Sequence, residues 1–281
     1  MKTRFNRRFE KDKTPSRTVL ERYRQDVQDN EDQDEDDDSG LALLHYRGGK
    51  EEYKLGAEYS ESSDPLDRAL GAKILAQLGW DDQTFLEESV ERLVKLLDDA
   101  DPNVVYSSAV ALSHRSSERA IIRLVSLSSH EDALIRFGVA HGLAAGEAPE
   151  AIAALIQLSK DEDRDVRDYA VFGLGSRIEC DTPEVREALY AALQDADSEI
   201  RGEALVGLAE RKDPRVKEAI LGEWKTDEVS VLSLEAAEVL GDPDFLPFLL
   251  EFQEMIDSEE EDHVLDQLNA AIAACEAGRP S

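Results

Sequence analysis

Variants of the stretch Asp163–Arg167 (DRDVR), followed by Gly173-Leu174, recur along this chain and indicate its fold. Each copy has an aspartate, a β-branched anchor three residues later, and a small residue and a leucine seven and eight residues after the anchor. The anchors are Val104, Ile135, Val166 and Ile200, spaced 31, 31 and 34 residues apart. A fixed period of this length, filled with helical patterning, is typical of stacked two-helix repeats.

The repeat predicts an all-α fold, a right-handed α-solenoid of about seven two-helix repeats over residues 41–277. Each repeat has a first helix and a second helix, and the second helix carries the anchor. The predicted first helices are Gly49–Tyr59, Phe85–Leu97, Glu118–Leu127, Pro149–Leu158, Pro183–Leu193, Pro214–Gly222 and Pro243–Met255. The predicted second helices are Pro65–Leu78, Pro102–Ser113, Asp132–Ala144, Asp163–Ser176, Asp197–Glu210, Glu228–Leu240 and Asp262–Ala277.

The N-terminal segment, residues 1–38, changes from basic to acidic along its length. Its acidic end, residues 30–38, has no apolar side chains to bury and repels itself, which predicts a disordered linker. A short helix is predicted at 16–28, because Thr18 and Glu21 have the spacing of a capping box. The segment as a whole is predicted to be disordered apart from this helix.

Regular columns of side chains explain how the predicted helices stack. In a second helix the anchor and the residues four, seven and eight positions later share one face, and small residues at the fourth and seventh places allow close approach. The aspartate before each second helix can cap its free N–H groups. Arginines in the position after the anchor, whose place Asp67 takes in the first repeat, can reach an aspartate of the adjacent repeat, which predicts a structural ladder. Its members are Asp101, Asp132, Asp163, Asp197, Arg68, Arg136, Arg167 and Arg201.

The repeated string, clearest in Asp163–Gly175, resembles the HEAT-repeat class and specifically its short bacterial-type variant, the phycobilisome-lyase HEAT-like repeat. The resemblance covers roughly residues 41–277 and rests on strings of the form D-x-x-[VI]-R-x-x-A-x-x-[AG]-L-G. It implies the solenoid fold and limits the function only broadly. Such families include protein-interaction scaffolds, bilin-attachment factors and a di-iron oxygenase, deoxyhypusine hydroxylase.

The oxygenase possibility is tested by the pairs of residues that follow the anchor and its arginine. The resemblance implies iron-binding His-Glu pairs there, and the chain has Phe137-Gly138, Asp168-Tyr169 and Gly202-Glu203 instead. The one His-Glu pair, His130-Glu131, falls in a predicted turn, and the five histidines lack metal-ligand spacing. We therefore expect no catalytic residues, no metal and no cofactor. Bilin attachment stays open, because it has no motif that can be matched here.

A candidate partner-binding face lies opposite the packed columns of the second helices. Positions two and six after each anchor lie at about 200° and 240° from it, and they are mostly aromatic or apolar. The candidate residues are Tyr106, Val110, Phe137, His141, Asp168, Phe172 and Val206. In solenoids of this class the second helices line the concave surface, so these side chains fit a protein interface. The same side chains also fit packing between adjacent repeats, and the sequence leaves both interpretations open.

The formal net charge of −31 favours a basic partner and disfavours direct nucleic-acid binding by the repeat body. The basic N-terminal segment could contact the chain's own acidic repeats or an anionic surface. Cys180 and Cys275 lie too far apart for a metal or redox motif, no run is long and apolar enough to span a membrane, and no secretory signal is present. These features predict a cytoplasmic protein.

The sequence therefore predicts a non-catalytic scaffold or adaptor that binds a basic protein partner on its concave face. Two alternatives from other classes are kept. One is an enzyme or enzyme accessory related to bilin lyases or deoxyhypusine hydroxylase. The other is an acidic inhibitor of the immunity type, which would cover a basic surface of its target.

Overall fold

A computed structural model describes residues 9–29, 39–79, 84–115, 117–225, 229–255 and 262–278. All regular secondary structure in these ranges is helical. The first eight helices are α1 Ser16–Asp29, α2 Ser39–Arg47, α3 Lys50–Tyr59, α4 Pro65–Ala76, α5 Leu86–Leu96, α6 Pro102–Ser113, α7 Glu118–Leu127 and α8 Ala133–Leu143. They are followed by α9 Pro149–Leu158, α10 Arg164–Phe172, α11 Pro183–Ala192, α12 Ser198–Glu210, α13 Val216–Trp224, α14 Val231–Leu240, α15 Leu246–Met255 and α16 Asp262–Ala277.

Helices α3 to α16 form seven consecutive pairs, so the predicted all-α solenoid of two-helix repeats is confirmed. Helices α6, α7, α9 and α16 begin and end at the predicted residues. Two helices are joined at one end to a turn of another helical type. The second helix α10 continues as a π-helical turn, Gly173–Arg177, and the first helix α15 is preceded by a 3-10 turn, Pro243–Phe245. Of the predicted helix Glu228–Leu240, the part before Val229 lies outside the described residues, and α14 begins at Val231.

The chain divides into two compact units, residues 1–145 and residues 146–281, and each is described by itself. In the first unit, α4 packs against α6 and α6 against α8. In the second unit, α10 packs against α12, α12 against α14, and α14 against α16. The second helices therefore form one layer within each unit, and the first helices lie beside them. The anchors Val104, Ile135, Val166 and Ile200 are all buried in these layers.

Small residues seven positions after the anchor let helices of the second unit approach closely. Gly207 of α12 lies against Gly175 in the π-helical turn. A Cβ atom on Gly207 would lie 2.5 Å from the Cα of Gly175 and 3.1 Å from a methyl carbon of Leu189. No side chain fits at Gly207 without moving backbone, which is the physical reason for a glycine there.

The aspartates that precede the second helices act as N-caps. Asp101 accepts from the N–H of Asn103 at 3.0 Å, and Asp163 accepts from the N–H of Asp165 at 3.0 Å. Asp132 and Asp197 bond in the same way to the N–H two residues later. Each bond satisfies a helical N–H that has no partner within its helix.

The arginines after the anchors make two kinds of bond. Each donates to the carbonyls five and six residues earlier, as Arg136 does to Glu131 and His130 at 3.1 and 2.8 Å. Arg68, Arg167 and Arg201 also reach a carboxylate of the next repeat. These pairs are Arg68–Asp99 at 2.7 Å, Arg167–Asp195 at 2.8 Å and Arg201–Glu223 at 3.1 Å.

The ladder acceptors Asp99 and Asp195 are not the helix caps but lie two residues before Asp101 and Asp197. Each also accepts from the N–H of that cap, at 2.9 and 3.0 Å. Asp197 both caps its helix and pairs with Arg164 at 2.9 Å, and the Arg164 bond is the largest cause that lowers the pKa of Asp197 to about 2.

The structure differs from the predicted disordered segment over residues 9–29. Helix α1 agrees closely with the predicted helix at 16–28 and buries Val19, Leu20 and Tyr23. Phe9 is also buried, with its ring 5.6 Å from that of Tyr46. Residues 1–8 and the acidic run 30–38 lie outside the described residues.

Ion pairs fix this N-terminal segment to the first repeats. Arg24 of α1 pairs with Asp64 and Asp67 of the α3–α4 repeat, both at 2.6 Å. From α2, Arg47 donates to the carbonyl oxygen of Thr14 at 2.7 Å and to the hydroxyl of Ser16 at 2.8 Å. Residues 9–29 are thus a packed layer next to α2–α4.

Two buried arginines cap the ends of second helices. Arg115 is 1% exposed and donates to the carbonyls of Leu75 and Leu78, just at and beyond the end of α4, both at 3.1 Å. Arg211 is 8% exposed and bonds to carbonyls around the end of α10 and in α12. Its acceptors are Leu174 at 2.8 Å, Gly175 at 2.9 Å, Ile178 at 2.6 Å, Cys180 at 3.1 Å and Gly207 at 2.9 Å. Both arginines stand eleven residues after an anchor.

Candidate functional site

In the first unit the candidate face is a cluster of three partly exposed rings on α6 and α8. The rings of Tyr106 and Phe137 stack with centroids 5.8 Å apart and planes 10° apart. His141 contacts Phe137 edge to face at 4.9 Å. Burial raises the pKa of the Tyr106 hydroxyl. The structure brings these three predicted residues together, and Val110 is also partly exposed.

In the second unit the candidate face begins with Asp168 and Phe172 on α10. Both are partly exposed, and Phe172 contacts Tyr169 edge to face at 5.4 Å. Burial raises the pKa of Asp168, although Arg164 lies 3.3 Å away and opposes this shift. Aromatic rings and a carboxylate are thus neighbours on one helix.

Val206 does not belong to an accessible face. Its side chain is 3% exposed, because α12 packs against both α10 and α14. Gly202, four residues earlier, is buried as well, and a Cβ atom there would lie 2.6 Å from a methyl carbon of Leu232. The part of the predicted stripe that lies on α12 is therefore packing between second helices.

Two glutamates that the sequence argument did not select occupy this region instead. Glu203 on α12 and Glu235 on α14 are partly buried. Burial is the largest cause that raises the pKa of Glu203 to about 7, and nearby Asp168, Glu235 and Glu199 raise it further. The Ser176 hydroxyl donates to Glu203 at 3.3 Å and lowers this pKa. Burial, followed by Glu238 and Glu210, raises the pKa of Glu235.

A positional signal could have found these glutamates. Glu203 is three residues after the anchor Ile200, and Glu235 is three residues after Leu232, the equivalent residue of the next repeat. A residue at this place lies about 60° from the anchor, at the edge of the packed face. A carboxylate there is partly desolvated by the neighbouring helix, which disfavours its charged form.

We expect Glu203→Gln to raise the stability of the protein above pH 7 by about 1–2 kcal/mol, less than the full shift would give because the side chain is partly exposed. Glutamate has an ordinary pKa of 4.5, and in the folded protein that of Glu203 is about 7. Between these values the folded state binds a proton that the unfolded state has released. Stability therefore falls as pH rises through this window and is constant above it.

Urea unfolding from pH 4.5 to 8 measures this effect. Glu218→Gln, an exposed position on the neighbouring helix α13, is the matched control and should keep the pH dependence of the original protein. An unchanged slope in Glu203→Gln would show that another group titrates in this window.

Among the described residues, no group of three or more His, Cys, Asp or Glu side chains could hold a metal ion. His130 accepts from the N–H of Asp132 at 3.0 Å in the turn before α8. Cys180 and Cys275 are both free thiols, and burial raises the pKa of Cys275 to about 11.

No helix within the described ranges is long and apolar enough to cross a membrane.

The comparisons with known proteins agree with this architecture. The family model described as HEAT repeats matches residues 54–144 and 152–241, more than half of the chain. The crystal structure of YibA from Escherichia coli has a TM-score of 0.64 and 23% identity, covering 91% of this chain and 94% of that chain. No curated protein sequence matches the chain significantly.

Two further solved structures are less similar. The CpcE–CpcF complex of phycocyanin lyase from Nostoc sp. PCC7120 has a TM-score of 0.46 and 18% identity, covering 91% of this chain and 94% of that chain. A designed armadillo repeat protein in complex with the peptide (KR)4 has a TM-score of 0.44 and 20% identity, covering 80% and 99%. At these levels of similarity the relatives carry no argument about activity or ligand.

Proposed function

Because this chain belongs to the HEAT-repeat family, we propose that it is a non-catalytic scaffold that binds a basic protein partner through the exposed face of its second helices. The observation that carries the proposal lies in the second unit, where a partly exposed ring, Phe172, and partly buried carboxylates are found on the second helices; these carboxylates are Asp168, Glu203 and Glu235. Interfaces between proteins combine aromatic anchors with a polar surround in the same way.

The aromatic side chains supply the apolar part of this face. Tyr106 and Phe137 stack on each other across two second helices of the first unit, and Phe172 lies on a second helix of the other unit. Rings with few rotatable bonds lose little entropy when a partner covers them, so partly exposed rings that already hold one another are suitable anchors.

The carboxylates supply the preference for a cation. Burial raises the pKa values of Glu203, Asp168 and Glu235, and the carboxylates of Asp168 and Glu235 raise the pKa of Glu203 further. A lysine or arginine of a partner would reduce this repulsion and stabilise the charged forms. Binding of such a cation should release a proton from Glu203 near neutral pH, so affinity should increase between pH 6 and pH 8.

Affinity capture with carbodiimide crosslinking tests the proposal, because this reagent joins carboxylates directly to lysines in contact with them. The baits are the original protein, Phe172→Ala and Glu203→Gln/Glu235→Gln. The control bait is Ile122→Ala, which alters a side chain that is 64% exposed on a first helix. We expect a basic protein to be retained by the original and control baits, crosslinked to Glu203 or Glu235, and depleted roughly tenfold by the other two baits.

Equal capture by all four baits would refute binding at this face. Crosslinks that map only to first helices would do the same. Circular dichroism melts of each bait show whether a loss of capture follows from unfolding, and Glu203→Gln/Glu235→Gln provides a variant whose shape is almost unchanged.

A further inference from the structure

An apolar groove lies in the second unit, apart from the face of the second helices discussed above. It has a volume of about 520 Å³ and runs between the end of α13 and helix α15. Trp224 and Val229 form one side, and Phe248, Phe252 and Met255 of α15 form the other. Its volume is within the range of about 300–1,000 Å³ that is usual for ligand sites in proteins.

Helix α15 presents a continuous apolar edge to this groove. Phe248, Phe252 and Met255 are spaced by four and three residues, so they project from one side of the helix. Met255 is 66% exposed, and the two phenylalanines are partly exposed. Large apolar side chains in such a row are a typical surface for a partner helix.

The base of the groove is fixed by packing. Leu234 of α14 and Leu249 of α15 also line the groove and are fully buried. The indole N–H of Trp224 donates to the hydroxyl of Ser233 at 2.9 Å, and its ring contacts Phe245 edge to face at 5.5 Å. The tryptophan wall is therefore held in place in the free protein.

The charges around the groove indicate what would occupy it. Glu251 lines it, and Glu254 follows three residues later on α15; both are exposed, and Lys225 is the one basic residue among the described lining residues. The protein as a whole carries a net charge of −31. An apolar segment with acidic neighbours would be repelled here, and one with basic neighbours would be attracted.

We propose that this groove binds a basic amphipathic segment of a partner protein, whose large apolar side chains enter between Trp224 and the α15 edge. Its lysines and arginines lie near Glu251 and Glu254. The site is separate from the carboxylate and ring face of the second helices, so the two proposals stand or fall independently.

Trp224 provides a direct readout of occupancy. The chain has two tryptophans, and in Trp80→Phe the emission comes from Trp224 alone. Three synthetic helical peptides are titrated: one with leucines at i, i+4 and i+7 and lysines elsewhere, one with the same leucines and glutamates, and one with alanines and lysines. We expect a saturable change in Trp224 emission with the leucine–lysine peptide and none with the other two.

Variants on α15 locate the binding. Phe252→Glu and Met255→Glu should each lower the affinity for the leucine–lysine peptide roughly tenfold or more, since each places a carboxylate in the apolar site. Met255 is exposed enough that its replacement leaves the fold intact. Leu250→Glu, on the same helix but outside the groove, is the matched control and should bind as the parent does. Glu251→Gln/Glu254→Gln should reduce affinity and its dependence on salt.

Several results would overturn the proposal. If the alanine–lysine peptide bound as tightly as the leucine–lysine peptide, the interaction would be general charge attraction and not docking in an apolar groove. Tighter binding of the leucine–glutamate peptide would contradict the assigned chemistry. Self-association of the protein that Phe252→Glu abolishes, without any emission change on adding peptide, would assign the groove to a second copy of the chain. A lack of response to all three peptides would reject the site as a docking groove.

Discussion

Arg211→Met should lower the free energy of unfolding of the second unit by about 3–5 kcal/mol, the loss typical of breaking a buried charged network. The guanidinium donates to the carbonyls of Leu174, Gly175, Ile178, Cys180 and Gly207 at 2.6 to 3.1 Å. Methionine fills the space but leaves these acceptors without that donor. Burial lowers the pKa of Arg211, and the aligned carbonyls at the end of a helix favour its positive charge.

Arg177→Met is the matched control for this substitution. Arg177 also stands eleven residues after an anchor but is exposed, so its replacement should change stability by no more than about 0.5 kcal/mol. Arg211→Lys should recover little of the lost free energy of unfolding, because an ammonium cannot reach carbonyls in several directions. Hydrogen exchange of α10 and α12 measures the effect locally, which suits a repeat array that need not unfold in one step. Unchanged protection of α10 in Arg211→Met would contradict the capping role.

Gly207→Ala should destabilise the second unit by about 2–3 kcal/mol, within the range for overpacked cores. The added Cβ would meet backbone, the Cα of Gly175 at 2.5 Å, and backbone cannot turn aside as a flexible side chain can. Helix α12 would have to move away from the π-helical turn, which would disturb the packing of its buried residues Leu205 and Leu208. Thermal unfolding followed by circular dichroism measures the loss.

Gly222→Ala provides a control with the opposite sign. Gly222 lies inside α13 and a Cβ there has nothing within 4 Å. Alanine is the better helix former by about 0.5–1 kcal/mol, so this variant should be slightly more stable than the parent. Equal destabilisation by both substitutions would mean that helix propensity, rather than close approach, governs Gly207.

The repeat units could be predicted from the sequence because their determinants are local and periodic. The anchor Val166, the small Gly173 and the cap Asp163 stand at fixed offsets that match the geometry of a helix. The predicted bounds of α6, α7, α9 and α16 were correct for this reason. The π-helical turn at the end of α10 was not predicted; the carbonyls of Leu174 and Gly175 in it bind Arg211 of a different repeat, and a local pattern does not show such a contact.

The candidate sites were harder to predict. Tyr106 and Phe137 could be selected from their angular position, and their stacking is a consequence of neighbouring second helices. Val206 was placed on the same face but is buried, because an angle on one helix does not show how near the next helix lies. Glu203 was missed since its raised pKa arises from burial and from carboxylates on other helices.

The groove of the second unit could not be predicted from period alone. Phe248 and Met255 belong to the last repeat, which matches the repeated string poorly. In such a repeat, a row of apolar residues at helical spacing predicts an ordinary buried face. Only the three-dimensional arrangement shows that Met255 faces an opening rather than another helix.

The packed N-terminal layer has a practical consequence for where an autonomously folding fragment can begin. The matched repeats start at residue 54, yet Leu20 and Tyr23 are buried, and Arg24 forms ion pairs with Asp64 and Asp67. A fragment that begins at the first matched repeat would expose apolar surface and leave Asp64 and Asp67 without Arg24 as a partner. The start of the matched repeats is therefore not the start of the segment that folds cooperatively.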